Sequence, residues 1–310
     1  MPFEVVVVDN CSRFPCLPHV QEHFPQVRTY MAPCRQGFAK NYNLGIRQSR
    51  GDFVLILNND TVVHSNALNH LVRAIESEPA YGMVGARLLS ADGNTQTVCA
   101  RRLQTPWSYI LINLFVDAGL PLGRLWDHFR RWNIGRQGSG PVSCISGACM
   151  LLPRDVLERI GLLDEAYDFY YEDIEWCHRV QRHGLSVGYI AEAEITHFGD
   201  QSLSKVKVWA KQSEYRSALR YFRHYYFLSP RQAWLIWFIT ALSFLLRGIV
   251  FLGREALGGR PGYARAYFYL WSWILRQHPA SPELAALLAE PPEKRPAASV
   301  QTDSQPRGMR

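Results

Sequence analysis

Two acidic steps and one histidine stand where this chain could do chemistry. Asn58-Asn59-Asp60-Thr61 follows five apolar residues, Phe53-Val54-Leu55-Ile56-Leu57. Such a run, preceded by the turn pair Gly51-Asp52, predicts a strand buried on both faces, as in a parallel sheet. Open α/β sheets bind ligands beyond the carboxyl ends of their strands. A carboxylate there, flanked by two amides and a hydroxyl, suits a hard divalent cation carrying a phosphorylated ligand. The same spacing also lets Asp60 cap a following helix. The second step is Tyr170-Tyr171-Glu172-Asp173, after which Ile174, Cys177 and Val180 recur every three residues, predicting a helix that begins near Glu172. Acidic residues at that end complement the helix dipole, while two tyrosines leading into a doubly acidic step also fit a reactive site. Glu175 and Arg179, four apart, are expected to pair on the helix surface. His197 follows a short alternating segment and is either a packed side chain or a metal or phosphate contact.

The elements that must position these groups alternate. Strands are predicted at 4–8, 27–31, 53–57 and 82–88, and helices at 38–50, where Phe38, Tyr42 and Ile46 are four apart, and at 65–78, where Leu68, Leu71, Val72 and Ile75 share a face. This order argues for a parallel α/β sheet with helices on its faces. Residues 95–142 break the rhythm with Trp107, Trp126, Arg130, Arg131 and Trp132, and read as an excursion beside the site. A strand is predicted at 144–152 with Ser146-Gly147-Ala148 keeping its middle small, a sign of tight packing or of a close approach by ligand or backbone.

Composition divides the chain. Residues 1–204 carry 18 Lys+Arg against 21 Asp+Glu, whereas residues 205–278 carry 12 against 2 and 18 of the 39 aromatic residues, so the two parts are expected to meet different partners. Seven cysteines without a CxxC pair argue against a disulfide framework or structural zinc and for a reducing cytoplasm. Residues 233–246 lack any charge, and Arg247 follows. A spanning helix needs about 20 apolar residues, a length reached here only by including Arg247. Flanking Arg223, Arg231, Arg254 and Arg260 with many Trp and Tyr suit an interfacial or re-entrant helix at an anionic leaflet; the alternative is a helix of a soluble bundle. Nucleic acid is not an expected partner, because long uncharged stretches do not suit a phosphate-tracking groove. Residues 279–310 are expected to be a disordered tail.

Taken in order, these segments resemble glycosyltransferase family 2, with its nucleotide-diphospho-sugar-binding GT-A fold, over about residues 4–204. Val5-Val6-Val7-Val8-Asp9-Asn10-Cys11-Ser12 is similar to the family's second strand and nucleoside-contacting Asp. Gly37-Phe38-Ala39-Lys40-Asn41-Tyr42-Asn43-Leu44-Gly45 resembles its helix opening near the nucleotide. Leu57-Asn58-Asn59-Asp60-Thr61 matches the segment whose final Asp holds the metal. Ser146-Gly147-Ala148, then Gly161 to Asp164-Glu165, then Tyr171-Glu172-Asp173, resembles the acceptor side and the acidic ED motif, and His197 sits where the family often has a histidine near metal and diphosphate. By appearance the chain is similar to the rhamnosyltransferase-like subgroup.

The resemblance implies an inverting, metal-dependent hexosyl or deoxyhexosyl transfer from a nucleoside-diphosphate sugar to a hydroxyl of a glycan or polyprenyl-linked acceptor. The setting would be bacterial surface polysaccharide synthesis at the cytoplasmic face of the inner membrane. Asp173 would be the catalytic base, with Glu172 the fallback. Asp9, Ser12, Asn41, Asn43, Asn59 and Asp60 would bind the nucleotide-sugar, Ser146 and Gly147 would line the acceptor side, and Asp60 with His197 would hold Mg2+ or Mn2+. The chain departs from the pattern at Arg35, where the family commonly has Asn, and begins where the second strand should. It is thus expected to be an amino-terminally truncated GT-A domain (1–204) lacking the first βα unit, with a membrane-associating helical region (205–278). The alternative function is a non-catalytic glycosyltransferase-like partner subunit or truncated inactive copy.

Overall fold

The computed structural model describes residues 2–115, 138–199, 208–259 and 261–289, among which lie ten strands and ten helices. The amino-terminal strand β1 (Val6–Asp9) pairs in parallel with β2 (Arg28–Met31) as a two-stranded ribbon. Between them α1 (Leu17–His23) opens with Pro18 in its first turn, a helix not foreseen from the Pro-containing loop. Helix α2 (Phe38–Gln48) packs on β1 and leads to β3 (Phe53–Leu57).

A six-stranded sheet has the order β3, β9 (Cys149–Pro153), β5 (Tyr81–Leu89), β10 (Ser186–His197), β4 (Thr61–Val63), with β7 (Gly140–Val142) also pairing β10. Only β5 and β10 are parallel neighbours in it, because β9 runs antiparallel between β3 and β5. At the edge of the sheet β3 alternates in burial: Val54 and Ile56 are buried in one core, and Phe53, Leu55 and Leu57 are half-buried against a second apolar cluster. Helix α3 (Ala67–Ser77) covers one face through Leu71, Val72 and Ile75; each such burial contributes about 1.5–3 kcal/mol.

The predicted strand at 144–152 is broken. β6 (Ala100–Arg101) pairs β8 (Cys144–Ile145), and residues 146–148 form a turn before β9. Helix α4 (Pro106–Phe115) follows β6. The expectations for Trp126, Arg130, Arg131 and Trp132 lie outside the described residues.

Helices α5 (Arg154–Ile160) and α6 (Glu172–Arg182) carry the chain into β10. The Glu175–Arg179 pair is present, but with Glu175 buried and Arg179 half-buried, a correction to the expected surface pair: Tyr225 donates to Glu175, and Arg179 also donates to the Ile160 and Leu162 carbonyls.

The carboxyl-terminal helices α7 (Val208–Tyr226), α8 (Pro230–Ala256) and α9 (Tyr263–Ile274) share one apolar core with the body, in which Ile56, Ile145 and Trp176 join Tyr215, Phe222, Ile236 and Leu270. A capping box, Ser229 with Gln232, starts α8 behind Pro230. Part of the expected tail is ordered: α10 (Pro282–Ala289) docks by burying Leu284, and the rest of 290–310 lies outside the described residues.

Candidate active site

The first ledge of the site is Asp9, the last residue of β1. Its carboxylate is buried and closes the following loop, accepting from Ser12 N at 2.8 Å and Cys16 N at 3.2 Å. These N–H groups, Ser12 first, hold its carboxyl below the usual range. Ser12 is exposed and meets Asp9 through its backbone. Gln36 N donates to Asn10 Oδ1 at 2.8 Å, and Gln36 Nε2 to Asn41 Oδ1 at 3.1 Å, so Asp9, Ser12 and Asn41 cluster around one turn. Asn43 does not join them. Residues two apart on a helix point roughly 200° apart, and Asn43 is buried on the other side of α2. There its Nδ2 donates to the Leu163 carbonyl and to Glu165, and its Oδ1 accepts from Leu163 N. Every polar atom of that amide is spent on holding the 161–165 turn, which removes Asn43 from the nucleotide-binding set.

The second ledge joins the ends of β3 and β10. Asp60 is no helix cap, because β4 intervenes and α3 begins after Asn66. Instead Phe198 N donates to the Asp60 carbonyl at 2.9 Å, and His197 Nε2 lies 3.3 Å from Asp60 Oδ1. Asn58 stands beside them, accepting from Tyr42 Oη at 2.8 Å with its Nδ2 3.4 Å from His197 Nε2. Asn59 is exposed. Asp60 Oδ1 is a buried atom with no hydrogen-bond donor. An anionic oxygen and an imidazole nitrogen at this separation fit neighbouring positions on one hard cation, since bonds of about 2.0–2.1 Å at right angles place ligands about 3 Å apart. The residues thus suit a divalent metal. A grouping of three possible ligands, His19, Glu22 and His23, also occurs on α1, but all three are exposed and merely adjacent on one helix face.

The third ledge is the start of α6. Tyr170 and Tyr171 both adopt positive φ, 66° and 69°, a conformation rare for bulky residues that persists only where the surroundings impose it. The ring of Tyr171 is buried against Tyr221 and Phe222 of α7, and its hydroxyl donates to Gln104. This kink sets Glu172 and Asp173 into the site. Asp173 Oδ2 accepts from Arg101 Nη2 at 2.7 Å and from Gly147 N at 3.1 Å, and Oδ1 accepts from Ile174 N at 2.8 Å. A Cβ on Gly147 would stand 3.3 Å from the Asp173 Cβ and 3.4 Å from the Phe38 ring, so the small residues of 146–148 do mark a close approach. Ser146 is half-buried in the same turn. Glu172 is buried, and its Oε2 has no partner. Burial first, then the charge of Asp173, pushes its carboxyl up to about 8. Burial thus favours its protonated form near neutral pH.

The ledges are stitched together by α2. Phe38 packs at Gly147, Tyr42 bonds Asn58, and Asn58 N donates to the Ala148 carbonyl at 3.0 Å. Tyr42 is raised well above an ordinary phenol, by burial and then by Asp60. Arg101 was not singled out from sequence: it lies in the stretch without periodicity, 72 positions from Asp173.

A sheet with an acidic–histidine pair at its strand ends and an acidic helix start beside it defines a GT-A nucleotide-diphospho-sugar transferase fold. The structure of GalNAc-T7 with UDP, GalNAc and Mn2+ shares it at a TM-score of 0.51 with 14% identity, covering 72% of this chain and 43% of that one. The chain belongs to glycosyl transferase family 2, whose model matches residues 1–161. Among curated relatives, a low-salt glycan biosynthesis hexosyltransferase, Agl10, of Haloferax volcanii is 27% identical over 202 residues; the match takes in 63% of this chain and 58% of the relative. An N-acetylglucosaminyl-diphospho-decaprenol L-rhamnosyltransferase of Mycobacterium tuberculosis is 23% identical over 265 residues, 80% of each chain. The O-antigen biosynthesis protein RfbC of Myxococcus xanthus is 26% identical over 237 residues, 69% of this chain and 17% of that one.

Proposed function

We propose that this protein transfers a hexosyl or deoxyhexosyl group, with inversion, from a nucleoside-diphosphate sugar to a hydroxyl of a glycan or polyprenyl-linked acceptor in surface-glycan synthesis. The observation that carries the reading is the Asp60 Oδ1–His197 Nε2 pair, 3.3 Å apart, bridged through Tyr42 and Asn58 to the turn that holds Asp173. Relatives named for lipid-linked and glycan acceptors support it.

In this reading Asp9, Ser12, Asn41 and Asn59 meet the nucleotide, and Ser146 and Gly147 border the acceptor. Asp173 takes the proton of the attacking hydroxyl as the new bond forms at the anomeric carbon. Arg101 and the Gly147 N–H orient its carboxylate and leave an oxygen lone pair for that proton. Asp60 and His197 would hold Mg2+ or Mn2+, which when bound supplies positive charge to the departing diphosphate. Calorimetry of the full chain with nucleoside diphosphates tests this. Binding should require Mn2+ or Mg2+ and be lost in Asp60→Ala; a chain that binds no nucleoside diphosphate is instead a non-catalytic partner subunit.

Helices α7–α9 supply the membrane side. α8 is long and apolar enough to cross a bilayer by length and composition, yet it turns Thr240, Ser243 and Arg247 inward and leaves Trp234, Leu235, Phe238, Leu246, Ile249 and Leu252 exposed. A helix half embedded in its own bundle, with one apolar stripe outside and Arg231 and Arg254 near its ends, lies in an anionic interface rather than spanning it. Such an interfacial helix supports our reading that the protein works at the cytoplasmic face of the inner membrane. Co-sedimentation with anionic vesicles should be lost in the double substitution Phe238→Glu, Ile249→Glu and retained by wild type.

A further inference from the structure

We infer that Gln96 is a positioning residue that fixes the proton of His197 on Nδ1 and so presents Nε2 as an unprotonated ligand. Gln96 lies outside every strand and helix, but its backbone is pinned: its N–H donates to the Leu88 carbonyl of β5 at 2.8 Å, and its carbonyl accepts from Cys99 N at 3.3 Å. Its half-buried side chain grips His197 at two points. Nε2 donates to the His197 main-chain carbonyl at 2.6 Å, and Oε1 lies 3.0 Å from His197 Nδ1.

The proton assignment follows from what each atom can do. A main-chain carbonyl only accepts, so the amide NH2 must face it and Oε1 must face the ring. Oε1 also only accepts, so Nδ1 carries the hydrogen. In a neutral imidazole the lone pair then belongs to Nε2. A second amide agrees. Tyr42 Oη donates to Asn58 Oδ1, turning the Asn58 NH2 toward His197 Nε2 at 3.4 Å. The Asn58 contact is compatible with the tautomer that the Gln96 amide selects.

The consequence sits at Asp60. With no proton on Nε2, a lone pair faces the carboxylate oxygen across 3.3 Å, and that oxygen has no donor of its own. Two electron-rich atoms held this close are relieved by a cation between them. Outer partners of a metal-binding histidine commonly fix its tautomer, and their loss costs about 10–100-fold in metal affinity.

This role rests on the reading of Asp60 and His197 as a cation site, and two readouts separate the claims. The first is nitrogen-15 NMR of the His197 ring in the metal-free full chain at mildly alkaline pH. Wild type should show the Nδ1–H form and Gln96→Leu a shift toward Nε2–H. Gln96→Glu keeps an acceptor at Nδ1 and should retain the wild-type form, which distinguishes tautomer control from damage to the loop. The second is Mn2+ binding followed by electron paramagnetic resonance. Gln96→Leu should weaken it about 10–100-fold, and Gln96→Glu should bind more tightly than Gln96→Leu. An Nε2–H ring in wild type, or an unchanged ring and Mn2+ affinity in Gln96→Leu, overturns the role of Gln96. Wild-type Mn2+ affinity in His197→Ala overturns the cation reading and leaves the NMR result to judge Gln96 alone.

Discussion

The Asp60–His197 side and the Asp173 side of the candidate site are built on opposite plans. Around Asp60 and His197 the polar atoms face one another with little between them, and Asp60 Oδ1 has no donor. Around Asp173 each carboxylate oxygen already accepts a hydrogen bond, one of them from a cation. An orphaned buried acceptor costs roughly 1–3 kcal/mol, so the Asp60 side stores a deficit that a ligand could relieve. The Asp173 side is already satisfied. Under the proposed function, the first half would be completed by a divalent metal and the second would act as it stands.

The largest effect is expected at Asp173. Asp173→Asn should lower turnover on the order of 10²–10⁴-fold, the usual worth of a general base, while calorimetry finds donor binding nearly unchanged; near-normal turnover would show that the base lies elsewhere. Arg101→Leu comes next. It leaves a largely buried carboxylate without its cation, a loss that reaches about 3–5 kcal/mol in fully buried pairs, and should appear as a clear drop in denaturation midpoint. Asp60→Ala should cost no comparable stability, because it removes an unsatisfied group. A larger melting loss in Asp60→Ala than in Arg101→Leu would reverse the assignment of the two plans.

The contrast extends to the pH dependences of two residues on α6. Glu172 is raised from 4.5 to about 8, chiefly by burial. Between those values the unfolded chain has released a proton that the folded chain keeps, so this group's contribution is full below 4.5 and is lost as pH rises toward 8. Melts of Glu172→Gln against wild type should show the variant gaining relative stability over that window. His178 has the opposite sign. Burial and then Arg182 lower it from 6.5 to about 4, so its contribution is present above 6.5 and lost as pH falls toward 4. His178→Gln should flatten that acid limb and leave the alkaline one alone.

The acidic step and the strand-end carboxylate were legible in the sequence because each sits at a change of pattern, where an apolar run or a helical period starts or stops. His197 was legible as a strand end, although its twelve-residue strand pairs with three others. Gln96 and Arg101 were not legible. Both lie in a stretch with no period, and their partners are 101 and 72 positions away, so only the folded sheet brings them into range. Asn43 failed for the converse reason. It is two positions from Asn41 in the sequence, and helical rotation alone sends it to the opposite face.

The packing of Tyr171 against Tyr221 and Phe222, and of His178 on Tyr225 at 4.2 Å, has a consequence for descent. A tether can be swapped between proteins by recombination at a linker, but a roof cannot. Since α7 supplies the ceiling over the kinked start of α6, a lineage that exchanged its carboxyl-terminal helices would lose the posture of Glu172 and Asp173 in the same event. The carboxyl-terminal helices and the candidate site must therefore be inherited together, and change in one should be accompanied by change in the other.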